Sequence, residues 1–96
     1  MKLEILNKED WIQEQLDILN EEIKKCPITL ESYENVDNWL DQTDLIQVLT
    51  ENFDYSAELS EVANFSNEEF AKQFIELFQS LKQTIIQRFL AERAEL

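Results

Sequence analysis

The chain has 96 residues and a formal net charge of -13, with 21 acidic residues against 8 Lys and Arg. It has no histidine, no glycine and a single cysteine, and 44% of its residues are hydrophobic. This composition excludes a disulfide scaffold, a histidine-based catalyst, a glycine-dependent phosphate loop, and direct electrostatic binding to nucleic acid or anionic lipid. We expect one small acidic domain over residues 1–96, a mostly α-helical bundle.

The first predicted element is a helix from about Lys8 to Lys25. Its apolar residues recur at spacings of four, three and four, which predicts one buried stripe: Ile12, Leu16, Leu19 and Ile23. Asn7 is expected to cap the first turn, and Pro27 to end the helix. Residues 1–6 fit either an extra turn or a short N-terminal strand, since their apolar alternation is brief.

Residues 28–65 predict a series of shorter helices. Short polar side chains can cap a helix by accepting hydrogen bonds from the free backbone amides of its first turn. Candidate caps of this kind divide the region into three short helices, which begin after Ser32, after Thr43 or Asp44, and after Ser56. The third piece would hold Leu59, Val62 and Ala63.

The C-terminal segment predicts one long helix. Ser66 and Glu69 form a capping box, and no helix breaker follows before the end of the chain. At 1.5 Å per residue the helix spans roughly 45 Å. Its main apolar stripe is Phe70, Phe74, Leu77, Phe78, Leu81, Ile85 and Phe89. A thinner second stripe predicts self-association, as in a homodimer, through Ile75, Ile86 and Leu90.

The negative charge is concentrated in one part of the sequence. Residues 26–71 contain eleven acidic residues and no Lys or Arg. Four of these acids follow helical spacing and are expected on one helix face, opposite Val36 and Leu40: Glu34, Asp37, Asp41 and Asp44. Like charges at this spacing are mildly destabilising, so replacing Asp37 and Asp41 by Lys should leave folding intact.

A segment of this charge is suited to a strongly basic partner surface, because a concentrated negative field steers association with a cationic groove. Tyrosine and tryptophan are interspersed among the acids, and both residue types are enriched in interface hot spots. The predicted partner-binding residues are therefore Glu31, Tyr33, Glu34, Asp37, Trp39, Asp41, Asp44, Glu51, Asp54, Tyr55, Glu58 and Glu61. Trp39 also fits a core position at this spacing.

Residues 33–41, Tyr-Glu-Asn-Val-Asp-Asn-Trp-Leu-Asp, resemble the acidic recognition helix of the barstar family of intracellular ribonuclease inhibitors. The resemblance implies that Asp37, Trp39 and Asp41 enter a phosphate-binding cleft. It covers nine residues, the order of Trp39 and Leu40 is reversed, and barstar ends on a strand where this chain predicts a helix. We interpret it as a chance match or as convergence on the same chemistry, without membership of the family.

Two function classes follow. The first is an inhibitor of a basic nucleic-acid-binding protein or nuclease, of the anti-restriction, anti-CRISPR or toxin-immunity kind. The second is a helical adaptor that self-associates through the C-terminal helix. Neither class is an enzyme or needs a metal or cofactor, and neither binds nucleic acid or a membrane directly. We expect a cytoplasmic protein, in a host cell if the gene is carried by a phage, because the single cysteine suggests no oxidising compartment.

Overall fold

The computed structural model of the protein describes residues 3–25, 30–60 and 65–94. Most of these residues lie in four helices: α1 (Lys8–Lys25), α2 (Tyr33–Gln42), α3 (Leu45–Ser56) and α4 (Asn67–Ala94). The predicted mostly helical fold with a long C-terminal helix is confirmed. No helix in the described ranges combines the length and apolarity needed to cross a bilayer.

Helix α1 has the predicted bounds, and its apolar stripe is buried. Glu9 and Asp10 occupy its first turn and Lys24 and Lys25 its last, which complements the helix dipole at both ends. The predicted side-chain cap is wrong. The Asn7 side chain accepts from the Glu58 amide at 2.9 Å and donates to the Ser56 carbonyl at 3.0 Å.

The N-terminal segment pairs with the chain that follows α3. Ile5 and Leu59 form an isolated antiparallel bridge, which is too short to count as the strand considered from the sequence. The Ser60 amide donates to the Glu4 carbonyl at 2.9 Å, and the Leu6 amide donates to the Glu58 carbonyl at 2.6 Å. These bonds and those of Asn7 together make a clasp between residues 4–7 and 56–60.

The clasp replaces part of the predicted third short helix. Ser56 is the last residue of α3 instead of opening a new helix, and its hydroxyl donates back to the Asn52 carbonyl at 2.6 Å. Leu59 lies in the extended bridge. Val62 and Ala63, predicted on the same helix, lie outside the described residues.

Helices α2 and α3 form a helical hairpin joined by residues 43–44. Ser32 caps α2 as predicted, its hydroxyl accepting from the Asn35 amide at 3.2 Å. Thr43 ends α2 by donating both its amide and its hydroxyl to the Trp39 carbonyl. Asp44 occupies the N-cap of α3 with a left-handed φ of 59° and makes no side-chain cap bond. The turn is therefore formed without glycine, by a residue type that tolerates this region.

The core lies where α1 and the hairpin pack on α4. The C-terminal half of α4 is the most buried part, through Leu81, Ile85, Ile86 and Phe89. Phe89 stacks on Trp39 of α2 with ring centroids 5.7 Å apart. Towards the other end of α4, Phe53 of α3 contacts Trp11, Phe74 and Phe78. Ser66 caps α4 as predicted, since its hydroxyl accepts from the Glu69 amide at 3.2 Å, which is the serine half of the predicted capping box.

Candidate functional site

The helical hairpin turns its carboxylates outward. Val36 and Leu40 of α2 and Leu49 of α3 are fully buried, so the opposite sides of both helices face solvent. We call the exposed carboxylates of the hairpin and its flanks the acidic face: Glu31, Glu34, Asp41, Asp44, Glu51, Asp54 and Glu58. Glu61, predicted on the same face, lies outside the described residues.

Asp37 differs from the rest of this group. Its Oδ1 lies 2.7 Å from Lys82 Nζ of α4, and both side chains are largely covered. Oδ1 is enclosed and has no aligned hydrogen bond among the described residues, so the ammonium is its main compensation. The premise that Asp37 is a free surface charge is therefore wrong, and we expect Asp37→Lys to destabilise the fold because the new cation would meet Lys82.

The prediction that Trp39 contacts a partner is also wrong, because its side chain is buried. Only 3% of it is exposed, and it stacks on Phe89 in the core. Its position among the acids in the sequence suggested a partner contact, whereas helical spacing places it on the inner side with Val36 and Leu40. Both predicted tyrosines remain accessible, Tyr33 at 40% and Tyr55 at 89% exposure.

The basic residues pair mostly with acids outside the acidic face. Lys24 and Lys25 bind Glu21 and Glu22 within α1, each at 3.2 Å. Across the described ranges, the Asp37–Lys82 contact is the one ion pair that involves an acid between residues 30 and 69. No cation of the described residues therefore forms an ion pair with the acidic face.

Arg88 of α4 holds the start of α1 in a two-pronged contact. Its guanidinium donates to both carboxylate oxygens of Glu9, at 2.9 and 3.2 Å. These hydrogen bonds, with the attraction of the guanidinium charge, lower the pKa of Glu9 and raise the pKa of Arg88. This contact ties α1 to α4 and lies apart from the hairpin acids.

The arrangement attracts cations without forming a tight metal centre. Within the part of the chain that the structure describes, no three Asp, Glu or Cys side chains converge as ligands. Carboxylates spread over two helices and their flanks can contact separate cationic groups of a larger surface. The acidic face is therefore suited to a macromolecular partner.

The three residues predicted to mediate self-association do not form one surface. Ile86 is fully buried in the core, so its assignment to an external interface is wrong. Ile75 is 59% exposed, whereas Leu90 is half-buried and packs against the core. Ile75 and Leu90 are fifteen residues apart, about 22 Å along the helix axis.

A groove of about 440 Å³ lies between the N-terminal segment and α4. Leu3, Ile5 and Leu81 line it with apolar surface, and Lys8 and Glu76 contribute opposite charges. It includes no residue of the acidic face. Local sequence patterns gave no indication of this groove or of Lys82 as a partner of Asp37, because both depend on contacts between distant segments.

Comparison with protein families, with curated proteins and with solved structures finds no match to this chain.

Proposed function

We propose that this protein is an inhibitor that binds the basic nucleic-acid-binding surface of a partner protein through its acidic face. The observation that carries the proposal is the exposed, unneutralised charge of the hairpin. Seven described carboxylates project there without an ion pair, while Lys24, Lys25 and Arg88 pair with acids of α1. Such a surface is complementary to a groove that has evolved to bind phosphates.

The physical advantage is association rate and selectivity. A negative field raises the rate of encounter with a positively charged cleft by about 10- to 1000-fold. This rate enhancement falls as ionic strength rises, because salt screens the field. Carboxylates one helical turn apart are roughly 5–6 Å apart, which allows several to engage neighbouring phosphate-binding cations. The proposed role is binding and blocking, without catalysis, in the cytoplasm where a nuclease or restriction or CRISPR effector acts.

A capture experiment with charge-matched variants tests the proposal. The chain is immobilised, exposed to a lysate of its host cell, and the bound basic proteins are challenged with nucleic acid. The first variant removes four charges of the acidic face: Glu34→Gln, Asp41→Asn, Glu51→Gln and Asp54→Asn. The control removes four exposed charges elsewhere, so that both variants have the same net charge: Glu4→Gln, Glu14→Gln, Glu76→Gln and Glu92→Gln.

We expect the wild type and the control to retain a nucleic-acid-binding protein that added nucleic acid displaces and high salt releases. The face variant should retain little of it. Equal loss of binding in both variants would show that net charge alone is responsible, and full retention by the face variant would show that the acidic face is not the binding surface. A partner that nucleic acid does not displace would contradict the proposed mode of binding.

The alternative function is self-association of a helical adaptor, and the exposure of Ile75 on α4 is the observation in its favour. Sedimentation velocity of the wild type and of Ile75→Lys tests it. A concentration-dependent dimer that Ile75→Lys abolishes would support the adaptor function. A monomer at all concentrations would remove it.

A further inference from the structure

The outer side of α3 combines acids with exposed apolar side chains in a regular order. Val48, Glu51 and Tyr55 are exposed on this helix, and Asp44 precedes them by one turn at its N-cap. The spacings of three and four place Val48, Glu51 and Tyr55 on one strip of the helix surface, and Asp44 lies at the N-terminal end of this strip. We call these four residues the α3 strip.

Packing within the fold does not account for the apolar members of the strip. Tyr55 is 89% exposed and Val48 36%, while the buried side of α3 consists of Leu45, Leu49 and Phe53. No described residue forms a hydrogen bond or ring contact with Tyr55. An exposed tyrosine between carboxylates is a suitable interface anchor, because its ring is rigid and has a polar tip.

Resting on the proposed function, we propose that the partner is a protein whose cleft binds single-stranded nucleic acid, and that the α3 strip occupies that cleft. The strip alternates negative and apolar groups in steps of roughly 5 Å along the helix axis. A single strand also combines charged phosphates with unstacked bases, whose flat faces are free to stack on a protein. The carboxylates of Asp44 and Glu51 replace phosphates, and the ring of Tyr55 replaces a base.

Duplex-binding surfaces are a poorer match for this strip. They contact phosphates and the edges of bases that stay stacked inside the helix, so they offer no platform for a projecting ring. Single-strand clefts combine a cationic groove with aromatic side chains on which bases stack. Arginine in such a cleft can also stack on the face of a tyrosine ring. The exposed ring of Tyr55 therefore favours the single-strand class.

The test uses the partner captured by the full chain. Bound partner is displaced with oligothymidylate or with a DNA duplex, each at the same phosphate concentration. In parallel, binding of the purified partner is measured for Tyr55→Ala, for the conservative Tyr55→Phe, and for Ile75→Ala as an exposed apolar control on α4.

We expect oligothymidylate to displace the partner at about a tenfold lower concentration than duplex. Tyr55→Ala should weaken binding about tenfold, or about 1.4 kcal/mol, whereas Tyr55→Phe and Ile75→Ala should bind like the wild type. Equal or better displacement by duplex, or unchanged binding of Tyr55→Ala, overturns the inference. In that case the loss of binding on removing the four acids still supports the proposed function. If neither polymer displaces the partner, both proposals fail.

Discussion

Helix α1 and the helical hairpin pack on the same long helix, but they differ in the sign and the pairing of their surface charges. Both bury a continuous apolar side against α4. On its outer side, α1 carries mixed charges and forms ion pairs such as Lys24–Glu21, and Arg88 of α4 binds Glu9 in its first turn. The hairpin has no basic residue of its own, and among the described residues only Asp37 is paired.

This difference in surface charge shows which features of the two regions are needed for folding and which are not. The buried side chains of both regions are apolar except for Gln15 of α1, and they account for the packing. An outer surface with mixed charge, as on α1, is compatible with this packing, so the unmixed surface of the hairpin is no condition of folding. Repulsion between its acids costs a few tenths of a kcal/mol per close pair. A cost of this size is consistent with a surface maintained for binding.

The largest expected effect comes from detaching the hairpin from α4. Phe89→Ala removes the ring on which Trp39 stacks and leaves a cavity, so it should lower the free energy of unfolding by about 3–5 kcal/mol. Urea denaturation followed by circular dichroism measures it. Ile75→Ala, on the exposed side of the same helix, should change stability by less than about 0.5 kcal/mol. Similar losses for the two variants would contradict the assigned core.

A smaller effect is expected from the one ion pair that links the hairpin to α4. In a double-mutant cycle of Asp37→Asn and Lys82→Gln, the coupling should be about 1–2 kcal/mol, because both side chains are largely covered. The same cycle on Glu21 and Lys24, which are well exposed, should give less than about 0.5 kcal/mol. Equal coupling in the two cycles would remove this distinction between the regions.

A third change should stabilise the protein slightly. Asp41→Lys with Glu51→Lys introduces positive charge into the acidic face and should raise stability by about 0.5 kcal/mol at low salt. The gain should shrink as salt screens the repulsion. Denaturation midpoints at two ionic strengths measure this gain. Glu14→Lys on α1 is the control, because it introduces a lysine where acidic and basic residues are already mixed. A loss of stability in the hairpin variant would indicate that these acids stabilise the fold.

The smallest effect concerns the exposed contact between Glu9 and Arg88. Because the guanidinium lowers the pKa of Glu9 in the folded protein, the contact stabilises the fold above the ordinary Glu value of 4.5. This stabilisation is lost as the pH falls through the lowered pKa. Arg88→Gln should therefore melt below the wild type near neutral pH and match it once Glu9 is protonated. A difference that persists in strong acid would point to packing of the arginine stem.

Local sequence signals determined much of the fold. The stripe of α1, the Ser32 cap and the Ser66 capping box correctly predicted three helices, because spacing and caps act within a few residues. Errors arose where distant segments meet. Asn7 bonds to residues 56 and 58 instead of its own helix, and Asp37 pairs with a lysine 45 positions later.

Prediction of the candidate site was limited for the same reason. Exposure of Glu34 and Asp41 followed from the buried positions of Val36 and Leu40 on the same helix. Helical spacing also placed Trp39 with Val36 and Leu40 on the inner side of α2, whereas its stacking on Phe89, fifty positions away, is a tertiary contact. The number of acids in the hairpin can be read from the sequence. That Asp37 is paired with Lys82, and so is no free surface charge, depends on the tertiary fold.

The clasp between residues 4–7 and 56–60 has a consequence for the order of folding. It closes a loop of about fifty residues with a few hydrogen bonds, and closing a loop of that length carries an entropic cost that rises with its logarithm. That cost is offset only after α1 and the hairpin have packed on α4. We therefore expect the clasp to form late and open first, so that the amides of Leu6 and Ser60 exchange with solvent deuterium well before the amide of Ile85.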